Sequence, residues 1–251
     1  MTSYDSHIQS EIYFLHGTSI DSRVWHPSVV HAIANAFDDS SKQGFTRLFD
    51  WSGANNSQAR KKAGEDLLRE VDQRKREQAC WPPKIITFVG HSHGGSVVLY
   101  ASQALRGIIG VETQINILTL NTPNVVGGAQ LEDDSIHHYH VYCSSDEVAP
   151  RGGFNRTGRL STGGAQTNWF GKPIGGEYSS KKDLGSGKEG SVYWEFDSAR
   201  INIDYRDQYR FKGLNPRTHW VSHRGWLKKN VREWLPSLAE QMRLLADPVA
   251  R

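Results

Sequence analysis

The sequence predicts an α/β protein built on a mostly parallel, doubly wound sheet of about six strands flanked by helices. Short, continuous apolar runs, such as "IYFL" at 12–15, are typical of strands buried on both faces of a parallel sheet. Segments with apolar residues at every third or fourth position alternate with these runs along the chain. This alternation favours βαβ units with right-handed crossovers.

The first half of the chain contains two strand-helix pairs. In the first helix, Trp25, Val29, Ile33 and Phe37 form an apolar stripe, and in the second the apolar residues lie on one face among many charges. The motif "WPP" ends the second helix, because proline cannot continue it. The expected elements are a strand in 11–17, a helix in 22–37, a strand in 45–51 and a helix in 57–78.

The second half continues the pattern and then departs from it. Between 151 and 190 glycine recurs and periodic apolar residues are scarce, so we expect either a lid over a site or a mobile surface insertion before the last strand. The whole chain, 1–251, is expected to form one domain. The remaining elements are strands in 84–90, 115–123, 137–146, 191–196 and 199–205, a helix in 95–105, and a last helix with Leu227, Val231, Trp234, Leu238 and Met242 on one face.

The composition is that of an ordinary globular protein. Of 251 residues, 37% are hydrophobic and 23% charged. The net charge of +3 is small and the basic residues are scattered along the chain, so the charge indicates no nucleic-acid partner. No apolar run approaches the roughly 20 residues of a membrane span, and the first residues lack a secretory signal. Cys80 and Cys143 have no CxxC spacing. We therefore expect a soluble protein that is cytoplasmic as made, with export without a conventional signal left open; nothing indicates the oligomeric state.

The strongest motif is "VGHSHGG" at 89–95, which places Ser92 between Gly90 and Gly94 in a G-x-S-x-G pattern. An apolar strand precedes it and a helix follows, which is the context that gives this motif meaning. Small flanking residues allow a sharp, strained turn that exposes the serine oxygen above the sheet. A serine nucleophile also needs a base, a carboxylate that orients the base, and donors for the oxyanion.

The order "FLHGT", "VGHSHGG", "NTP" and "SSDEV" resembles the α/β-hydrolase superfamily, specifically its lipase-like and esterase-like members. The resemblance covers about 11–150 and again about 199 to the end. It implies the α/β-hydrolase fold and a serine hydrolase. It also implies that the oxyanion is bound by the backbone around Gly17 and Thr18 and by the amide of His93.

The resemblance further implies a catalytic acid and a histidine later in the chain, in the order serine, acid, histidine. Asp146, expected at the end of a strand, fits the acid best, with the neighbouring Glu147 as the alternative. His219 and His223 both precede the last helix, where this fold places its base. His219 is preferred because its spacing to the apolar residues of that helix is nearer to that of the family.

Other aromatic residues and histidines have less specific interpretations. His91 is expected to shape the pocket, and Trp51, at the end of a neighbouring strand, to wall it or to pack in a turn. His138 and His140 share one face of a strand and could bind a metal, but no third ligand has a recognisable spacing. Nucleotide-binding glycine motifs are absent from the sequence. We therefore expect neither a metal nor a cofactor.

The expected reaction is hydrolysis of a carboxylic ester through an acyl-enzyme on Ser92, with a small-molecule or lipid ester as substrate. The same groups would cleave an amide or a thioester, because leaving-group preference depends on the shape of the pocket. The alternative from another class is a non-catalytic, hydrolase-like binding or interaction protein. In that case the serine turn would persist as scaffold only.

Overall fold

A six-stranded sheet forms the centre of the protein in the computed structural model, which describes residues 10–18, 25, 27–37, 44–78, 81–125, 128–142, 166–167, 173–174, 192–193 and 196–204. Its strands are β1 (Ser10–Leu15), β2 (Gly44–Phe49), β3 (Ile85–His91), β4 (Gln114–Leu120), β6 (His137–Tyr142) and β10 (Ile201–Asp204). The strand order is β10-β6-β4-β3-β1-β2, and all neighbouring strands are parallel. This confirms the predicted doubly wound sheet of about six strands.

Three described helices connect these strands: α1 (Pro27–Phe37), α2 (Ser57–Glu77) and α3 (His93–Ile109). The predicted start of the first helix was wrong, because α1 begins at Pro27 and Trp25 precedes it. Proline favours the first position of a helix, where its missing N–H has no intrahelical partner to lose. Trp25 is nevertheless buried beside Val29 and Ile33. None of the described helices is both long enough and apolar enough to cross a membrane.

Short strands lie outside the main sheet. β5 (Asn124–Val125) pairs antiparallel with β9 (Val192–Tyr193), and β7 (Gln166–Thr167) pairs antiparallel with β8 (Pro173–Ile174). Within the strand predicted over 191–196 the structure describes β9, which pairs with β5 in a sheet separate from the main one. Within 151–190 only β7 and β8 are described. The rest of that segment and the predicted last helix lie outside the described residues, and both expectations stay predictions.

The sheet separates two apolar layers, as a doubly wound fold requires. Alternate residues of each strand point to opposite faces, so neighbouring residues such as Tyr13 and Phe14 belong to different layers. The layer on the α1 face contains Ile12, Phe14, Trp25, Val29, Ile33, Val89, Leu118, Leu120, Tyr139 and Val141. The layer on the α2 and α3 face contains Tyr13, Leu15, Phe49, Ala63, Leu67, Val71, Ile86, Phe88, Val97, Val98, Ala101, Leu105, Ile109, Ile115, Ile117 and Ile136.

The connections that leave β1 and β3 run in opposite directions across the sheet. From β1 it passes through α1 to the edge strand β2, whereas from β3 it passes through α3 to β4 on the other side. The loops after these two adjacent strands therefore diverge at the carboxyl edge, and such a divergence forms the crevice in which open α/β sheets bind ligands. Leu15 pairs with Gly90 in the register, so the residues that follow the two strands leave the sheet side by side.

Candidate active site

Ser92 occupies the turn between β3 and α3 in a strained backbone conformation. Its φ is 54° and its ψ is −131°, a region that residues with a Cβ rarely adopt. The Ser92 amide donates to the carbonyl of Leu120 at 2.8 Å, and its carbonyl accepts from the Gly95 amide at 3.0 Å. These two bonds fix the turn to β4 and to the first turn of α3. The strained strand-turn-helix geometry predicted from the motif is thus present, at a cost of about 1–3 kcal/mol.

The flanking glycines are required by close approaches of the backbone. A Cβ built on Gly90 would overlap the backbone of Gly95, and one built on Gly94 would overlap the carbonyl oxygen of His16. The start of α3 therefore packs directly on the backbone of β3 and on the end of β1. This contact holds Ser92 beside the loop that follows β1.

That loop lies against the serine. A Cβ built on Gly17 would stand 2.8 Å from Ser92 Cβ and 3.3 Å from the carbonyl oxygen of His91. Thr18 follows directly, and its buried hydroxyl has no hydrogen-bond partner among the residues described. Of the two residues predicted as one side of an oxyanion site, Gly17 therefore lies against the predicted nucleophile, and Thr18 follows it in the chain.

Two histidines flank Ser92 in sequence, and both are buried. His93 is the first residue of α3, so its amide belongs to the helix terminus whose N–H groups and dipole favour negative charge. His91 packs edge-on against Trp25, with the ring centroids 6.3 Å apart. The structure thus brings Ser92 together with the backbone of Gly17 and His93, and packs His91 against Trp25, which belongs to the core of the α1 face.

His16 connects the loop after β1 to the end of β2. It is fully buried, and its Nδ1 lies 2.8 Å from the carbonyl oxygen of Gly17. The Trp51 amide donates to His16 Nε2 at 3.2 Å, and the Trp51 indole N–H donates to the His16 carbonyl at 2.8 Å. The two rings also stack, with centroids 5.6 Å apart and an angle of 16° between their planes. A carboxylate oxygen of Asp50 lies 3.6 Å from Nε2, beyond hydrogen-bond length.

His16 is not among the site residues predicted from the sequence, although a histidine followed by glycine directly after an apolar strand is a visible signal. For Trp51 the structure describes these contacts with His16 and packing against the core of the α2 and α3 face. Its predicted role as a pocket wall stays a prediction.

Two of the three histidines of β6, His138 and His140, belong to a buried hydrogen-bonded group. Thr119 Oγ1 lies 2.8 Å from His138 Nε2 and 2.7 Å from His140 Nδ1, and His138 Nδ1 lies 3.1 Å from Ser198 Oγ. Burial, with a smaller effect of His140, lowers the pKa of His138 to about 3. Within the described residues, no three His, Cys, Asp or Glu side chains come together as metal ligands.

The predicted acid and base lie outside the described residues: Asp146 and its alternative Glu147, and the two candidate bases His219 and His223. Their roles remain predictions. The strands that precede them, β6 and β10, run parallel to β3, so all three strands end at the same edge of the sheet.

Comparisons with known proteins give distant structural similarities. No protein-family model matches the sequence, and no curated protein is matched. The chain is similar to a Trichoderma reesei cutinase solved with a phosphonate inhibitor, at 12% identity and a TM-score of 0.35, over 47% of this chain and 53% of that chain. It is similar to a lipase-esterase related protein from Clostridium acetobutylicum, at 14% identity and a TM-score of 0.29, over 47% and 44% of the two chains.

A further solved structure, an acetylxylan esterase, matches at 13% identity and a TM-score of 0.41, over 96% of this chain and 97% of that chain. The chain thus matches about half the length of the first two proteins and nearly all of the third.

Proposed function

We propose that this protein is a serine hydrolase of the α/β-hydrolase type that cleaves a carboxylic ester through an acyl-enzyme on Ser92. The observation that carries the proposal is the strained backbone of Ser92 beside Gly17 at the carboxyl edge of the sheet. A positive φ at a non-glycine residue is costly, and such strain is concentrated at functional sites. If position 92 served only to make the turn, glycine there would give a more stable protein than serine does.

The proposed reaction assigns a role to each group. Ser92 Oγ attacks the ester carbonyl while an imidazole, His219 in preference to His223, takes the serine proton and returns it to the leaving alcohol. Asp146 orients that imidazole and stabilises its charged form. Water then attacks the acyl-enzyme with the same imidazole as base, which releases the acid and restores the serine.

The negative charge of the tetrahedral intermediate needs donors that are in place before the reaction. The amides of Thr18 and His93 are the proposed donors, since the first follows Gly17 at the contact with Ser92 and the second begins α3. The buried Thr18 hydroxyl is a further group of the right polarity at this position. Donors held rigidly in a site with little water stabilise such a charge far better than mobile ones.

The proposal is tested by hydrolysis of chromogenic acyl esters of graded chain length. We expect wild type to be active and Ser92→Ala to lose activity by at least about 10³-fold. His219→Ala and His223→Ala serve as a matched pair, and only the variant that lacks the base should lose comparable activity. Folded wild-type protein that hydrolyses neither esters nor the matching amides and thioesters would contradict the proposal and favour a binding protein.

A further inference from the structure

His16 makes contacts that go beyond packing. It is fully buried at the end of β1, and both of its ring nitrogens face backbone groups. A carbonyl oxygen can only accept a hydrogen bond, so Nδ1 must donate to Gly17. A backbone amide can only donate, so Nε2 must accept from Trp51. Both contacts require the same tautomer, with the ring hydrogen on Nδ1.

This hydrogen bond determines the direction of the next amide. The peptide bond between Gly17 and Thr18 is trans, and a trans peptide is planar with its C=O and N–H on opposite sides. Holding the Gly17 carbonyl toward His16 therefore turns the Thr18 N–H away from the imidazole. Without the His16 bond, the peptide plane could rotate and the direction of the Thr18 amide would no longer be fixed.

Trp51 in turn holds the imidazole. Its amide fixes the tautomer, its indole N–H binds the His16 carbonyl, and its ring stacks on the imidazole. These three contacts tie the loop after β1 to the edge strand β2. On its other side the loop packs against the first turn of α3. A Cβ built on Gly94 would lie only 2.4 Å from the His16 carbonyl oxygen.

We propose that His16 is a positioning residue for ester hydrolysis, which aims the Thr18 amide at the oxyanion by hydrogen-bonding the Gly17 carbonyl. The inference rests on the proposed function, because it assigns His16 a role only if Thr18 binds the oxyanion. His16 does not touch the substrate. Trp51 keeps His16 in the tautomer and orientation that this role requires.

Two amide substitutions separate the two ring nitrogens. In His16→Asn the side-chain N–H group is the same number of bonds from Cα as Nδ1, so it can still donate to the Gly17 carbonyl. In His16→Gln the amide group instead reaches the position of Nε2, and the bond to Gly17 is lost. Both variants remove the imidazole and its stacking on Trp51, so they share the structural loss.

We expect His16→Gln to lower kcat about 10- to 100-fold, part of the roughly 10²- to 10³-fold effect of losing an oxyanion donor, with KM little changed. His16→Asn should retain kcat within about threefold, since it keeps the decisive bond. Rates are expressed per serine labelled by a fluorophosphonate, so that unfolded protein is not counted. His138→Gln is the matched control, because it removes another buried, hydrogen-bonded imidazole, in β6, and should leave kcat unchanged.

The tautomer is measured independently of activity and of any variant. Long-range ¹H–¹⁵N spectra of wild type should show His16 with its hydrogen on Nδ1. A hydrogen on Nε2 instead, or equal kcat values for the Asn and Gln variants, would overturn the positioning role. Wild type that is neither labelled nor active would instead refute the proposed function, with the tautomer still readable.

Discussion

The contact between Gly17 and Ser92 makes one substitution especially informative. An added Cβ at position 17 would stand 2.8 Å from Ser92 Cβ and 3.3 Å from the His91 carbonyl oxygen. Non-bonded carbons settle at about 3.5–4.0 Å, so Gly17→Ala has to push the two segments apart by about 0.7–1.2 Å. A misplacement of about 1 Å in a catalytic site costs roughly 100-fold in rate, and overpacking costs about 1–3 kcal/mol of stability.

We therefore expect Gly17→Ala to lower kcat for a chromogenic ester about 100-fold while the protein still folds. The measurement combines ester hydrolysis, expressed per fluorophosphonate-labelled serine, with denaturant unfolding. Gly107→Ala is the control, since no atom lies within 4 Å of its added Cβ, and the change should stabilise α3 by about 0.5–1 kcal/mol without altering kcat. A Gly17→Ala variant with wild-type kcat and wild-type stability would refute the close contact on which the site is built.

Two further predictions concern stability. His138 stays neutral in the folded protein down to about pH 3, whereas in the unfolded chain it gains a proton below about 6.5, so stability falls with decreasing pH by up to about 1.4 kcal/mol per unit. The unfolding free energy of His138→Gln, measured by urea denaturation from pH 6.5 to 4, should fall less steeply with decreasing pH than that of wild type. The same pH dependence in both proteins would show that His138 is not held as a buried, neutral imidazole. Asn56 caps α2 by accepting from the Ala59 amide at 2.7 Å, so Asn56→Ala should cost about 1 kcal/mol and Asn56→Asp much less. Equal stability of wild type and Asn56→Ala in the same assay would rule out the cap.

The sequence predicted most of the sheet because buried parallel strands appear as short apolar runs. It also predicted the serine turn, because glycines flank Ser92 between such a strand and a helix. These features are made by residues close together in the chain, so the sequence alone indicates them. The start of α1 was misplaced because the apolar stripe continues through Trp25, which packs in the same core without being helical.

Features that depend on distant partners could not be predicted in this way. Glu11 is fully buried in β1, and its carboxylate pairs with Arg47 of β2 and lies 3.4 Å from Arg74 of α2. Nothing adjacent to Glu11 in sequence indicates which charges compensate it, because Arg47 and Arg74 come from other elements. The contacts of His16 are a second case, since they come from Trp51, which follows β2. β9 is a third, since its partner β5 lies far away in the sequence and its own apolar pattern does not indicate that pairing.

We propose that the strained turn presents Ser92 as a nucleophile. The most direct measurement is peptide mapping by tandem mass spectrometry after reaction of folded protein with a fluorophosphonate. We expect a single adduct on Ser92 in wild type and in Gly107→Ala, and no adduct in Ser92→Ala. Labelling of another residue, or none at all in folded wild type, would contradict it.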